Sequence, residues 1–205
     1  MKLLTFKENE ELKLGIKTSK GILDVQKASR VFSKKVPLSM EEVIENHNSL
    51  QVLDELTKYS LENHSESLYL NEKLLTLGPA VPNPGKLICV GLNYRKHAEE
   101  SNMPIPEFPV LFNKFDNTVA ASKEVINLPY NSKENDYEAE LVIVIGKKAK
   151  RVEKKDALKY VFGYCNVNDL SSRDLQFRTN QWLLGKCLDG FSPLGPYLVT
   201  SDEVP

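Results

Sequence analysis

Apolar and polar positions change their rhythm along this chain. Residues 3–6 and 12–16 are short apolar runs bounded by charged residues, and residues 21–25 form a third, so the chain opens with three strand candidates. Ser39-Met40-Glu41-Glu42 then has capping-box spacing, in which the serine caps a helix and the second glutamate returns a bond. Past Asn48 and Ser49, Leu50, Leu53, Leu56, Tyr59 and Leu61 keep an apolar stripe at helical spacing. Residues 87–90 and 141–145 are different: continuous, short and rich in β-branched residues, they predict buried strands rather than helices. Residues 161–167 and 196–200 are further strand candidates, and residues 156–160 predict a helical turn before the first of these.

Between the two textures lies Gly78-Pro79-Ala80-Val81-Pro82-Asn83-Pro84-Gly85. Its three prolines fix φ and remove backbone donors, so neither a helix nor a central strand is expected to cross it. The expected organisation is therefore a small α+β module over residues 1–80 and a β-rich domain over residues 81–205. The fold class is α+β, with strands dominant.

Composition narrows the function classes. A chain of 205 residues can bury roughly 70% of its unfolded surface and needs neither disulfides nor a structural metal to fold. Lys+Arg total 27 against 28 Asp+Glu, and neither half is basic: residues 1–80 carry 11 basic and 12 acidic side chains, residues 81–205 carry 16 of each. Phosphate neutralisation by a nucleic-acid binder has no counterpart in that balance. No apolar run approaches the ~18 residues of a membrane span, and the amino terminus alternates charged and apolar residues unlike a signal peptide. Cys89, Cys165 and Cys187 are odd in number and irregularly spaced, which argues against a disulfide framework or a zinc knuckle. A reduced, cytoplasmic protein is expected.

Candidate chemistry concentrates after residue 85. In a strand, Glu138 and Glu140 point to the same face and present two carboxylates at the start of an apolar run. Something must offset their repulsion, either water on an edge strand or a hard divalent cation. Asp169 follows a strand candidate and precedes a helix start at Ser171-Ser172-Arg173, a place suited to an acid at a site or to a plain cap. His97 and Glu100, three residues apart after a glycine turn, share a face if helical, an arrangement for general-base work or an exposed polar helix. Lys186 and Lys114 are lone cations in apolar stretches, either snorkelling to water or meeting an anion. His47 and His64 sit in polar surroundings and read as surface residues.

These pieces, in their order, resemble the fumarylacetoacetate hydrolase family. The resemblance is carried by Ile88-Cys89-Val90-Gly91-Leu92-Asn93-Tyr94, His97 with Glu100, Pro109-Val110-Leu111-Phe112-Asn113-Lys114, Asp136-Tyr137-Glu138-Ala139-Glu140-Leu141, Asn168-Asp169-Leu170-Ser171-Ser172-Arg173-Asp174-Leu175-Gln176, Gly185-Lys186 and Pro193-Leu194-Gly195-Pro196. It covers residues 84–200, and residues 1–80 resemble, more weakly, the small amino-terminal domain of bacterial members. The resemblance implies a mixed β-barrel or roll for the catalytic domain. It implies that Glu138, Glu140 and Asp169 hold Mg²⁺ or Mn²⁺, that His97 and Glu100 activate water on a lid, and that Lys186 stabilises negative charge. Lys114, Arg173 and Gln176 match positions near the substrate.

The activity so implied is carbon–carbon cleavage of an acylpyruvate-type 1,3-diketo acid from aromatic or sugar-acid catabolism. The alternative is tautomerase, isomerase or decarboxylase action on a 2-oxo acid such as oxaloacetate. Relatives of this kind are homodimers, and the same is expected here. The family's barrel continues past the Pro-Leu-Gly-Pro strand while this chain stops at Pro205, so a barrel truncated at its carboxyl end is expected. A non-catalytic remnant serving only binding or oligomerisation is the third expectation.

Overall fold

A computed structural model describes residues 1–46, 48–63, 66–100 and 102–204; the surface reading of His47 and His64 lies outside the described residues. The first part comprises β1 (Lys2–Glu8), β2 (Glu11–Thr18), β3 (Gly21–Asp24), α1 (Val25–Val31), α2 (Met40–Glu45), α3 (Ser49–Glu62) and β4 (Tyr69–Leu70). The second comprises β5 (Leu87–Gly91), α4 (Arg95–Glu100), β6 (Val110–Lys114), β7 (Val119–Ala121), β8 (Asn135–Asp136), β9 (Ala139–Ile145), β10 (Val161–Asn168), β11 (Ser171–Ser172), α5 (Arg173–Gln176), α6 (Leu183–Lys186), β12 (Ser192–Leu194) and β13 (Leu198–Thr200). The mixed α+β class and the dominance of strands agree with the sequence reading. Among the described residues no helix is long and apolar enough to cross a membrane.

Local signals explain several boundaries. Ser39 Oγ accepts from Glu42 N–H at 3.2 Å, while the Glu42 carboxylate accepts from Leu38 N–H at 2.8 Å, one residue before the serine, so the returning bond is displaced from the expected position. The third strand candidate ends at Asp24, whose carboxylate accepts from Lys27 N–H at 2.9 Å and starts α1, a helix the apolar pattern does not predict. Residues 156–160 lie in the 3₁₀ turn Lys154–Tyr160 that leads into β10.

One nine-stranded sheet, curled into a half-barrel, runs through both parts in the order β4-β3-β2-β1-β13-β10-β12-β7, with β9 also on β10. Pairing is antiparallel except between β12 and β7. The join is β1 with β13, where Lys2 faces Val199 and Leu3 faces Leu198. A shared core follows: Leu3, Leu14, Leu53 and Leu56 belong to one buried cluster with Cys165, Leu194 and Leu198. Across the same join, Tyr197 O–H donates to Glu72, which also pairs with Lys17.

Strands β9 and β5 differ from the buried strands expected of them. Leu141, Ile143 and Ile145 are 57%, 51% and 54% exposed, and Ile88 is 61% exposed, because one face of each strand has no covering layer. A run apolar at every position cannot reveal by periodicity which of its faces is covered.

The sheet bends where register shifts between Val161 and Gly163. A Cβ on Gly163 would lie 2.2 Å from the Val199 carbonyl oxygen, so only glycine lets β13 approach here. Gly163→Ala should therefore destabilise the fold by about 1–3 kcal/mol in denaturant unfolding. Gly85→Ala, where a Cβ meets nothing within 4 Å, should leave stability within about 1 kcal/mol of wild type. Equal effects at the two positions would contradict the close β10–β13 approach.

Candidate active site

Register builds the centre of the site. Glu140 faces Val167 and Ala139 faces Asn168 across β9 and β10, which sets Glu138 opposite Asp169, with Asp169 N–H donating to the Glu138 carbonyl at 2.9 Å. Residues directly opposite share a sheet face, as do residues two apart, so Glu138, Glu140 and Asp169 all project to one side. Asn168 secures the turn-off by accepting from Glu138 N–H at 3.1 Å.

Three cations converge on two of these carboxylates. Lys186 Nζ donates to Glu138 Oε2 at 2.8 Å and to Asp169 Oδ2 at 3.1 Å. Lys114 Nζ donates to Asp169 Oδ1 at 2.6 Å and to the carbonyls of Phe191 at 2.7 Å and Leu170 at 3.3 Å. Arg173 Nη2 donates to Glu138 Oε1 at 2.6 Å and to Asp136 at 2.8 Å, while its Nη1 donates to Gln176 Oε1 at 2.9 Å. Side-chain exposure is 1% for Lys114, 3% for Lys186 and 8% for Asp169, so this is a buried ionic network rather than a surface cluster.

Short elements aim the cations. Lys186 ends α6, whose Gly185 packs so closely on the next layer that a Cβ would lie 2.5 Å from the Ser172 carbonyl oxygen and 2.6 Å from Gln176 N. Trp182, just before α6, stands edge-on to Phe112 with ring centroids 5.3 Å apart and covers Gly91 so tightly that a Cβ there would lie 2.3 Å away. Lys114 ends β6, held against β5 by the Leu87↔Lys114 pairing. Arg173 opens α5, where Ser172 makes no side-chain cap and its hydroxyl donates to Asn135 instead.

Electrostatics separates the third carboxylate from the other two. Burial first, then the charges of Glu138 and Asp169, pushes the Glu140 carboxyl above its ordinary pKa, opposed by a hydrogen bond from Tyr94. Burial lowers the Lys114 pKa against the pull of Asp169. Burial and then the Asp169 charge push the Cys89 thiol up to about 12, so it offers no thiolate at neutral pH.

The structure thus brings Lys114, Glu138, Asp169, Arg173, Gln176 and Lys186 into one network, with Glu140 on the same face. His97, half-buried, and Glu100, exposed, stand on α4 outside it. Among the described residues, no hydrogen bond or ion pair joins the two to each other or to the network. Tyr94, one residue before α4, bonds Glu140 and brings the start of that helix to the edge of the site. Tyr94, Asp136 and Asn168 were not singled out by sequence reasoning. The signal that could have found them is adjacency: Tyr94 follows the glycine turn after β5, and Asp136 and Asn168 flank the carboxylates.

The donor set fits a hard divalent cation by its chemistry, since three ionisable oxygen donors share a face and Glu140, among the described residues, makes no ion pair. Among the described residues no three such side chains are drawn together tightly enough to hold one ion, because ammonium and guanidinium groups occupy the carboxylate oxygens.

Residues 86–205 match the family model described as "Fumarylacetoacetate (FAA) hydrolase C-terminal". The chain is 36% identical over 211 residues to the oxaloacetate tautomerase fahd2, mitochondrial, of Xenopus laevis, an alignment covering 100% of this chain and 63% of that protein. A solved structure of a putative HpcE protein from Mycobacterium smegmatis superposes with a TM-score of 0.76 at 30% identity, covering 100% of this chain and 68% of that one. The maleylpyruvate hydrolase of Sphingobium sp. SYK-6, solved with manganese(II) ion and pyruvate, shares the fold with a TM-score of 0.73 at 24% identity, covering 100% and 69%. The chain spans from 40% to 63% of the length of the first curated relatives it matches.

Removing Lys114 leaves Asp169 with Lys186 alone and takes the donor from the Leu170 and Phe191 carbonyls, so Lys114→Met should destabilise the protein by about 1–3 kcal/mol in denaturant unfolding. Lys159→Met breaks the exposed pair with Asp156, whose side chains are 73% and 34% exposed, and should change stability by less than about 1 kcal/mol. Similar small effects would contradict the structural weight given to Lys114.

Proposed function

The chain belongs to the fumarylacetoacetate hydrolase family, and from that premise we propose that it acts on the enol and enolate forms of a small 2-oxo acid, as a metal-assisted tautomerase of oxaloacetate-like substrates. The observation that carries this reading is the placement of Lys186: its ammonium lies between two carboxylates at the buried end of β9 and β10, beside a third. Such a place suits the stabilisation of an enolate, whose charge develops on an oxygen. A relative that aligns with the whole chain is named an oxaloacetate tautomerase, which supports the same reading.

Interconversion of enol and keto forms moves one proton between the enol oxygen and C3 and breaks no carbon–carbon bond. Mg²⁺ or Mn²⁺ held by Glu138, Glu140 and Asp169 would supply Lewis-acid polarisation of the 2-oxo acid oxygens. Lys186 then holds the charge of the enolate, and the guanidinium of Arg173, oriented by Asp136 and Gln176, stands beside Glu138 to meet the substrate. All three protons of Lys114 are spent inside the protein, so in this reading it fixes Asp169 and reaches the substrate only through it. His97 on α4, which stands outside the network in this structure, is assigned here as the proton carrier once α4 closes over the site.

Hydrolysis of an acylpyruvate is the second reading. It is favoured by the same His97, which on closure of α4 with Glu100 would deprotonate a water. A homodimer is expected to cover the exposed rows on β5, β6 and β9.

With Mg²⁺ or Mn²⁺, purified protein should accelerate loss of the enol absorbance of oxaloacetate without forming new products. Glu138→Ala should lower kcat/KM by about 100-fold or more. Appearance of two acids from an acylpyruvate would favour the hydrolytic reading, and turnover untouched by a chelator would contradict metal assistance.

A further inference from the structure

Of the oxygens on Glu138 and Asp169, none is left open. Glu138 Oε1 accepts from Arg173 at 2.6 Å and Asp169 Oδ1 from Lys114 at 2.6 Å, and the remaining two, Glu138 Oε2 and Asp169 Oδ2, converge on Lys186 Nζ. A cation that bridges these carboxylates must therefore share their oxygens with a positive group already bound to them or displace it.

The three groups are not equally held. Lys114 is tied also to the carbonyls of Leu170 and Phe191, and Arg173 to Asp136 and Gln176. Among the described residues, the Lys186 ammonium has no hydrogen-bond acceptor besides the two carboxylates, and its other neighbour is the face of the Phe112 ring, 5.3 Å from the centroid. A ring face accepts a cation without fixing its direction. Lys186 is the group that can leave while its two fellows stay anchored.

We infer that Lys186 is the resident countercharge of the site, that its ammonium and a divalent cation compete for Glu138 and Asp169, and that cation binding releases Lys186 to face the anionic substrate. The inference rests on the metal-assisted reading above and adds an order of events to it: cation first, lysine released, 2-oxo acid last. The physical basis is charge. The carboxylates cannot remain ionised and buried without a positive partner, and an ammonium within bonding distance of the same oxygens repels an arriving divalent ion. It also explains why, among the described residues, Lys186 lacks the extra acceptors that anchor Lys114 and Arg173. A fixed lysine would hold the carboxylates permanently and leave no place for the cation.

Competition is measured by titrating wild type, Lys186→Met and Lys186→Gln with MnCl₂ in a calorimeter near neutral pH. In parallel, amine acylation of Lys186 in wild type is followed by peptide mass spectrometry with and without MgCl₂. Both variants are expected to bind Mn²⁺ at least about tenfold more tightly than wild type, since a repelling charge is gone. Mg²⁺ is expected to raise labelling of Lys186 severalfold and to leave Lys114 unchanged. Wild-type binding with variants no tighter overturns the competition alone and leaves the metal reading standing. If the variants do not fold, labelling decides: Lys186 labelling unchanged or lowered by Mg²⁺ in a protein that binds Mn²⁺ overturns the proposal. Absence of Mn²⁺ binding in wild type and folded variants alike overturns the metal reading, and this proposal with it.

Discussion

Two carboxylates facing one another across a strand pair, nearly out of water, are the constraint on which the site depends. The β9–β10 register places Glu138 against Asp169 and leaves no freedom to separate them. Burial of unpaired like charges is prohibitive, so cations must be delivered, and each comes from a different element: Lys114 from β6, Arg173 from α5 and Lys186 from α6. The close contacts at Gly185 and Gly91 then read as consequences. They let α6 approach near enough for an ammonium to reach both carboxylates.

Support for this arrangement reaches beyond the site. Strand β10 ends at the carboxylates, and nearer its start, at Gly163 and Tyr164, it pairs with β13, which pairs in turn with β1 from the other end of the chain. Residues before and after the proline-rich connection thus share one sheet and one buried cluster. Displacing β1 would loosen β13 and so the strand that carries Asp169. The opposite faces of β5 and β9, by contrast, leave apolar side chains exposed and contribute little to the site's rigidity.

Local pattern made much of this legible. Short β-branched runs became β5, β9 and β10, and the i, i+2 spacing put Glu138 and Glu140 on one face as expected. What local pattern could not show is pairing over distance: the β1–β13 join links residues nearly two hundred positions apart, and no periodicity encodes it. The same limit applied to Lys114 and Lys186, each readable equally as a snorkelling surface lysine until the fold placed it on Asp169. The ordered motifs, through their resemblance to a family, pointed to the members of the network without showing that its cations and carboxylates satisfy one another. Tyr94 and Asp136 lie inside the motifs that carry the resemblance, but a single tyrosine or aspartate has no distinctive spacing that marks its role.

The most direct measurement of this site is a crystal of the protein soaked in MnCl₂ and recorded at a wavelength where manganese scatters anomalously. One peak in contact with Glu138, Glu140 and Asp169, with Lys186 Nζ withdrawn from both of its carboxylates, is the expected result. A manganese-soaked crystal with no peak there and Lys186 still bridging Glu138 and Asp169 would contradict it.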